Sequence, residues 1–233
     1  MSGELADRTW TELEASPAGL LLVPIGATEQ HGPHLPLSTD TEIAVALARG
    51  ALEEIGDALL APPVAFGSSG EHADFPGTLS IGAEATELLL VELCRSASRS
   101  IPRIVLVSAH GGNADPLARA VARLRGEGRQ VLAWSPSWGG DAHAGRIETS
   151  LMLALDPERV RLDRARAGNP EPLQRLIGEL RAGGVRPLAA NGVLGDPEGA
   201  GAEEGRELLA RAVGELLAAV EAWRREPVEL AAR

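Results

Sequence analysis

Three short, nearly uninterrupted apolar runs constrain what this chain can fold into: Leu20–Ile25 (Leu-Leu-Leu-Val-Pro-Ile), Arg103–Ser108 (Arg-Ile-Val-Leu-Val-Ser) and Gln130–Trp134. Between them lie stretches with helical periodicity over residues 41–52, 84–100 and 114–126. A strand that is apolar on both faces must be covered on both faces, and strands alternating with helices satisfy this by parallel crossover pairing. The expected architecture is therefore α/β, a single-domain, mostly parallel β-sheet flanked by helices on both faces. Residues 58–66, with Pro62-Pro63, read as a further extended segment, and Asn113 reads as the cap of the helix that follows it. Residues 147–156 read as a short apolar helix stopped by Pro157, its Met152 and leucines set in the core; its Leu151–Leu155 portion also invites an interface between copies. Residues 159–184 read as charged and irregular, and 203–225 as a long closing helix. A length of 233 residues fits one domain spanning the chain, with 1–10 and 226–233 expected as mobile ends.

Composition narrows the chemistry. The formal net charge of −11 argues against nucleic acid and anionic membrane surfaces as partners. The chain has no lysine and no tyrosine, so Schiff-base chemistry, a lysine base and a tyrosine acid are excluded. The single cysteine, Cys94, can form neither an internal disulfide nor a thiolate metal site, and it falls in a helical stretch where a buried thiol is expected. No apolar stretch reaches the length of a membrane span and residues 1–8 carry no apolar signal region, so a cytoplasmic protein is expected.

The chemistry gathers where the strands stop. After Ile25 comes Gly26-Ala-Thr-Glu-Gln-His-Gly-Pro-His-Leu-Pro-Leu-Ser-Thr-Asp40, with Glu29, His31, His34 and Asp40 close together; His110-Gly-Gly-Asn113 follows the second run and Asp141-Ala-His143 the last. In a parallel sheet all of these reach one edge, the edge where open α/β sheets bind ligands. Carboxylate and imidazole without thiolate suit zinc, iron(II) or manganese. Glu29, His31, Asp40 and His110 supply enough donors for one ion, and a second needs a bridging carboxylate, for which Asp40 is the candidate, together with Glu148. The polar loop 67–80, containing His72, is too long for a simple connector; His72 and His34 are read as supporting or packing residues.

These ordered motifs, with Gly140-Asp-Ala-His-Ala-Gly-Arg-Ile-Glu-Thr-Ser150, resemble the creatininase family of metal-dependent amidohydrolases from about residue 18 to about residue 155. The resemblance implies a creatininase-like fold, two divalent metals per subunit (Fe2+ or Zn2+, with Mn2+ possible) and a homo-oligomer. It implies that Glu29, His31, Asp40 and His110 hold metal with Asp40 bridging, and that His143 is the catalytic histidine serving the leaving nitrogen. Where the namesake enzyme has a metal-binding glutamate two residues after the second-motif histidine, this chain has Gly112, and Glu148 is the expected substitute. Gly111 and Gly112 are expected to hold the oxyanion, and Trp138 and Asp141 to contact substrate. Within the family, the runs after Gly140 and Asn191 are most similar to a peptidase branch. Members of that branch release a modified C-terminal Val-Tyr dipeptide from a ribosomally made precursor peptide, which is the expected partner. A small-molecule amidohydrolase acting on a lactam or formamide, and a metal-binding scaffold without turnover, are the alternatives.

Overall fold

A computed structural model describes residues 3–225. Four strands, β1 (Leu20–Ile25), β2 (Ala58–Leu60), β3 (Arg103–Ser108) and β4 (Gln130–Trp134), form one sheet in the order β2-β1-β3-β4. Every pairing is parallel, with Leu20 opposite Arg103 and Ile25 opposite Ser108, so β1 and β3 stop in register. The helices are α1 (Trp10–Ala15), α2 (Thr39–Glu54), α3 (Gly82–Ala97), α4 (Ala114–Gly126), α5 (Arg146–Leu155), α6 (Leu173–Gly183) and α7 (Ala202–Arg224).

The pleat sorts the strand residues onto two faces. Leu20, Leu22, Val105 and Val107 meet the apolar stripes of α2 (Ile43, Leu47, Ala51), α5 and α7 (Leu216, Val220). Leu21, Val23, Ile25, Ile104 and Leu106 meet α3 (Leu90, Cys94) and α4 (Leu117, Ala120, Leu124). Each of these large side chains contributes roughly 1.5–3 kcal/mol on leaving water. Gly205 lets α7 press on α5: a Cβ there would lie 1.9 Å from the Ser150 carbonyl oxygen.

Several expectations are corrected. Leu151 and Met152 are fully buried against the sheet and α7, so these two side chains are core, whereas Leu153 and Leu155 are half-buried. Residues 159–184 are not wholly irregular: α6 lies there, and its signal was weak because Leu176 is its one buried residue. Asn113 does precede α4, yet its side chain does not cap it. Its amide instead donates to the Gly26 carbonyl (3.0 Å) and accepts the Ser68 N–H (3.0 Å), joining three loops. The stretch 1–10 is held from Gly3 onward, where the Leu60 N–H donates to the Gly3 carbonyl at 2.8 Å and Arg49 pairs with Glu4 at 3.0 Å. The expected mobile end 226–233 lies outside the described residues.

Candidate metal centre

Because β1, β3 and β4 run the same way, the segments leaving them converge. From β1 the chain makes a tight path through Glu29 and His31 and enters α2, where Asp40 lies in the first turn with its side chain turned inward. His110 follows β3 directly, and His143 and Glu148 come from the loop and first turn at α5. Glu29, His31, Asp40, His110 and His143 are all buried, and Glu148 is mostly so.

The imidazoles share one design. The His31 Nδ1–H donates to the Glu29 carbonyl (3.1 Å), which leaves Nε2 facing Asp40 Oδ1 at 3.2 Å. The His110 Nε2–H donates to the Ser68 carbonyl (2.9 Å), which leaves Nδ1 facing Asp40 Oδ2 at 3.2 Å. The His143 Nε2–H donates to the Gln30 carbonyl (2.8 Å), which leaves Nδ1 facing Glu29 Oε1 at 3.8 Å. A nitrogen bound to a carbonyl oxygen must carry the proton, so in each neutral ring the lone pair points inward, as metal-ligating histidines require.

The donors fall into overlapping groups whose ligand atoms lie within 4.8 Å of one another: Glu29, Asp40 and His110; His31, Asp40 and Glu148; and Glu29, His31 and His143. Asp40 belongs to the first two, the placement a bridging carboxylate needs. Both carboxylate oxygens of Glu29 and Oδ2 of Asp40 are buried without a hydrogen bond. Leaving three such oxygens unsatisfied is costly, and a divalent cation among them removes that cost. The residues present therefore fit a metal centre.

The electrostatics agree. Burial pushes the Glu29 carboxyl up to about 8, against the pull of His110. For His31 and His110 burial works against the charge, and the neighbouring carboxylates outweigh it, pushing both up to about 10. Burial works the other way on Asp40, but His31 and His110 hold its carboxyl well below the usual range. Burial, reinforced by His31 and His72, keeps His143 well below its usual value and thus neutral. Protons occupy this centre where metal ions would.

His143 is fixed through its backbone. Its N–H donates to the Leu194 carbonyl (3.1 Å), and its own carbonyl accepts the Leu194 N–H (2.9 Å). The next residue, Ala144, is buried at φ 53°, a region that L residues avoid, and its N–H donates to Glu148 Oε2 at 2.6 Å. A positive φ at a non-glycine residue costs about 1–3 kcal/mol, and the hydrogen bond at this link ties the histidine's segment to the Glu148 carboxylate.

Other expected residues lie elsewhere. The Asp141 carboxylate accepts the Arg146 N–H at 2.6 Å, which places it at the amino end of α5 rather than in the cluster. Trp138 is half-buried against the layer containing α5. The His34 Nε2–H donates to Thr149 Oγ1 at 2.9 Å, tying the first loop to α5. Gly111 and Gly112 do adjoin His110. A Cβ on Gly112 would lie 2.2 Å from the Ser68 carbonyl oxygen, 2.5 Å from His110 Nε2 and 2.7 Å from Glu71 Oε1, so the backbone of loop 67–80 excludes any side chain here. Sequence reasoning passed over Gln30 and gave His72 only a supporting part, yet both pack into the cluster; the unexplained length of loop 67–80 was the available signal.

Residues 6–220 match the family described as creatininase, creatinine amidohydrolase. The chain belongs to the creatininase family. It is 50% identical over 211 residues to the mycofactocin precursor peptide peptidase of Mycolicibacterium smegmatis, covering 88% of this chain and 85% of that one. It is 46% identical over 236 residues to the protein of the same name from Mycobacterium tuberculosis, covering 97% and 93%. To the creatinine amidohydrolase of Pseudomonas putida it is 36% identical over 199 residues, covering 70% and 74%. Among solved structures, a manganese creatininase superposes with a TM-score of 0.80 at 27% identity, and a zinc–zinc creatininase variant with 0.80 at 26%. Each covers 97% of this chain and is itself covered fully. The creatininase-like fold and the amidohydrolase class follow from these matches.

Proposed function

We propose that this creatininase-family member is a metal-dependent peptidase. It hydrolyses an amide bond to release the modified C-terminal Val-Tyr dipeptide from a ribosomally made precursor peptide in mycofactocin biosynthesis. The observation that carries the reading is the pair of donor groups sharing Asp40, within a chain 46–50% identical to relatives named for that activity.

Glu29, Asp40 and His110 would hold one divalent ion, and His31, Asp40 and Glu148 a second, with iron(II) or zinc preferred and manganese next. Such ions, when bound, supply electrophilic polarisation of the amide carbonyl and acidification of water. His143 does the proton work. Its inward Nδ1 takes a proton from the attacking water as the C–O bond forms, then returns it to the nitrogen as the C–N bond breaks, giving a carboxylate and a free amine. General acid–base assistance of this kind is worth about 10²–10⁴-fold. The N–H groups at Gly111-Gly112 stand beside His110 as donors to the developing oxyanion. Trp138 is assigned to the aromatic end of the peptide, and Asp141 supports the site through the start of α5. A cytoplasmic location and a homo-oligomer complete the proposal; no described helix is long and apolar enough to cross a membrane.

The test is mass-spectrometric detection of dipeptide product from a decarboxylated, Val-Tyr-ending precursor, using metal-free protein and protein loaded with iron(II), zinc(II) or manganese(II). Release only with metal is expected, and His143→Ala should keep its metal and lose turnover. Full activity in that variant would sink the role of His143. No release from folded, loaded protein would move the assignment to a small-molecule amidohydrolase, the activity of the Pseudomonas putida relative.

A further inference from the structure

Four of the five histidines crowd the metal centre, and one of them, His72 on loop 67–80, has no part in the mechanism above. Its ring centroid lies 4.4 Å from that of His143, it is 4% exposed, and its Nε2 lies 3.3 Å from Glu29 Oε1. Whether that nitrogen carries a proton or a lone pair decides what His72 can do.

Gln30 answers this. The Gly32 N–H donates to Gln30 Oε1 at 2.9 Å, which fixes the amide nitrogen on the opposite side. That nitrogen lies 2.8 Å from His72 Nδ1, 3.0 Å from the Gly192 carbonyl oxygen and 3.1 Å from His143 Nε2. It has two protons for three neighbours. His143 Nε2 must itself be a donor, because it lies 2.8 Å from the Gln30 carbonyl oxygen, so it cannot accept. The two amide protons therefore go to Gly192 and to His72 Nδ1, and the single proton of the neutral His72 ring is on Nε2. Gly192 has to be glycine for this: at φ 78°, a Cβ would lie 1.9 Å from Gln30 Oε1.

We propose that His72 is a positioning residue for the metal-holding carboxylate Glu29, and that Gln30 sets its tautomer so that an N–H, never a lone pair, faces that carboxylate. An Nε2–H cannot ligate metal, which separates His72 from the ligand histidines His31 and His110. It can instead restrain Oε1 of Glu29, whose other oxygen lies 3.3 Å from His110 Nε2. The two atoms are close without forming a hydrogen bond in this arrangement, and Glu29 Oε1 has no other hydrogen-bond partner. Gln30 thus treats two neighbouring imidazoles oppositely: its carbonyl turns the His143 lone pair inward, and its amide turns the His72 proton inward. The proposal rests on the metal reading of the site.

The experiment measures zinc(II) affinity by chelator competition for the full chain, for His72→Leu and for His72→Gln, alongside histidine 15N spectra of the metal-free protein. Loss of a partner that orients a ligand lowers metal affinity by about 10–100-fold. His72→Leu should show that loss, while His72→Gln, which keeps an N–H near the Nε2 position, should recover most of it. The spectra should show His72 protonated at Nε2 alone, and Gln30→Leu should abolish that preference. Equal zinc affinity in wild type and His72→Leu, or a proton on Nδ1, overturns the proposal alone. A folded wild-type protein that binds no zinc(II), iron(II) or manganese(II) overturns the metal reading and the proposal together.

Discussion

Filling this centre with metal must expel protons, and the buried groups set the number. At pH 7 His31 and His110, pushed up to about 10, hold their second protons, and Glu29, pushed up to about 8, is mostly protonated. Asp40, held well below the carboxylate range, has no proton to give. His31, His110 and Glu29 must each shed one to offer a lone pair, and Glu148, whose carboxyl burial also raises, adds whatever proton it holds, so complete loading at pH 7 releases roughly three protons or more. Linkage then makes the overall loading constant climb by roughly three powers of ten per pH unit near neutrality, flattening above about pH 10. Stability of the metal-free protein follows the same groups. Their folded values lie above the unfolded 4.5 for Glu29 and 6.5 for the histidines. The stabilisation from bound protons is therefore complete below those values, and is lost as pH rises through about 8 for Glu29 and about 10 for the imidazoles. The loaded protein has no such loss. Titration calorimetry with zinc(II) at pH 7, in buffers of different ionisation enthalpy, counts the protons from the slope of heat against that enthalpy. Tight binding with release of less than one proton would refute the assignment of these three side chains as ligands that carry protons in the metal-free state.

Other expectations concern the frame. Leu106→Ala removes a fully buried side chain from the face covered by α3 and α4, and should cost about 3 kcal/mol in a denaturant titration of the metal-free protein. Gly205→Ala drives a methyl into the Ser150 carbonyl, so α7 must lift from α5; a loss of about 1–3 kcal/mol is expected, and an unchanged midpoint would show that the helices already stand apart. Cys94, fully buried with its thiol pushed up to about 12, should resist thiol reagents at pH 8 until the protein unfolds. Rapid labelling of the folded chain would contradict that burial.

The sheet was legible because its strands are apolar on both faces, a pattern that only covered parallel strands satisfy. The same pattern brings Glu29, Asp40, His110 and His143 to one edge, since in-register parallel strands such as β1 and β3 must deliver their following segments together. Gln30 and His72 were less legible, because their parts depend on loop 67–80 folding back over the edge. That path is held by contacts between distant loops, such as Ser68 with Asn113 and Val185 with Glu71, which leave no periodic trace in sequence. Asp141 and Asn113 show the converse limit. Each lies at a helix start beside a metal-centre residue, and only the structure tells that the Asp141 carboxylate serves the backbone of α5 while the Asn113 amide ties loops together.

Gly112 constrains what can be changed around it. Its missing side chain is not spare room, because the Ser68 carbonyl and the Glu71 carboxylate already fill the space a Cβ would enter. A side chain as large as glutamate at this position therefore cannot coexist with this path of loop 67–80. A side chain placed there would displace the Ser68 carbonyl and the Glu71 carboxylate, and with them the loop that sets His72 against Glu29. Any redesign of Gly112 would therefore have to reshape residues 67–80 at the same time.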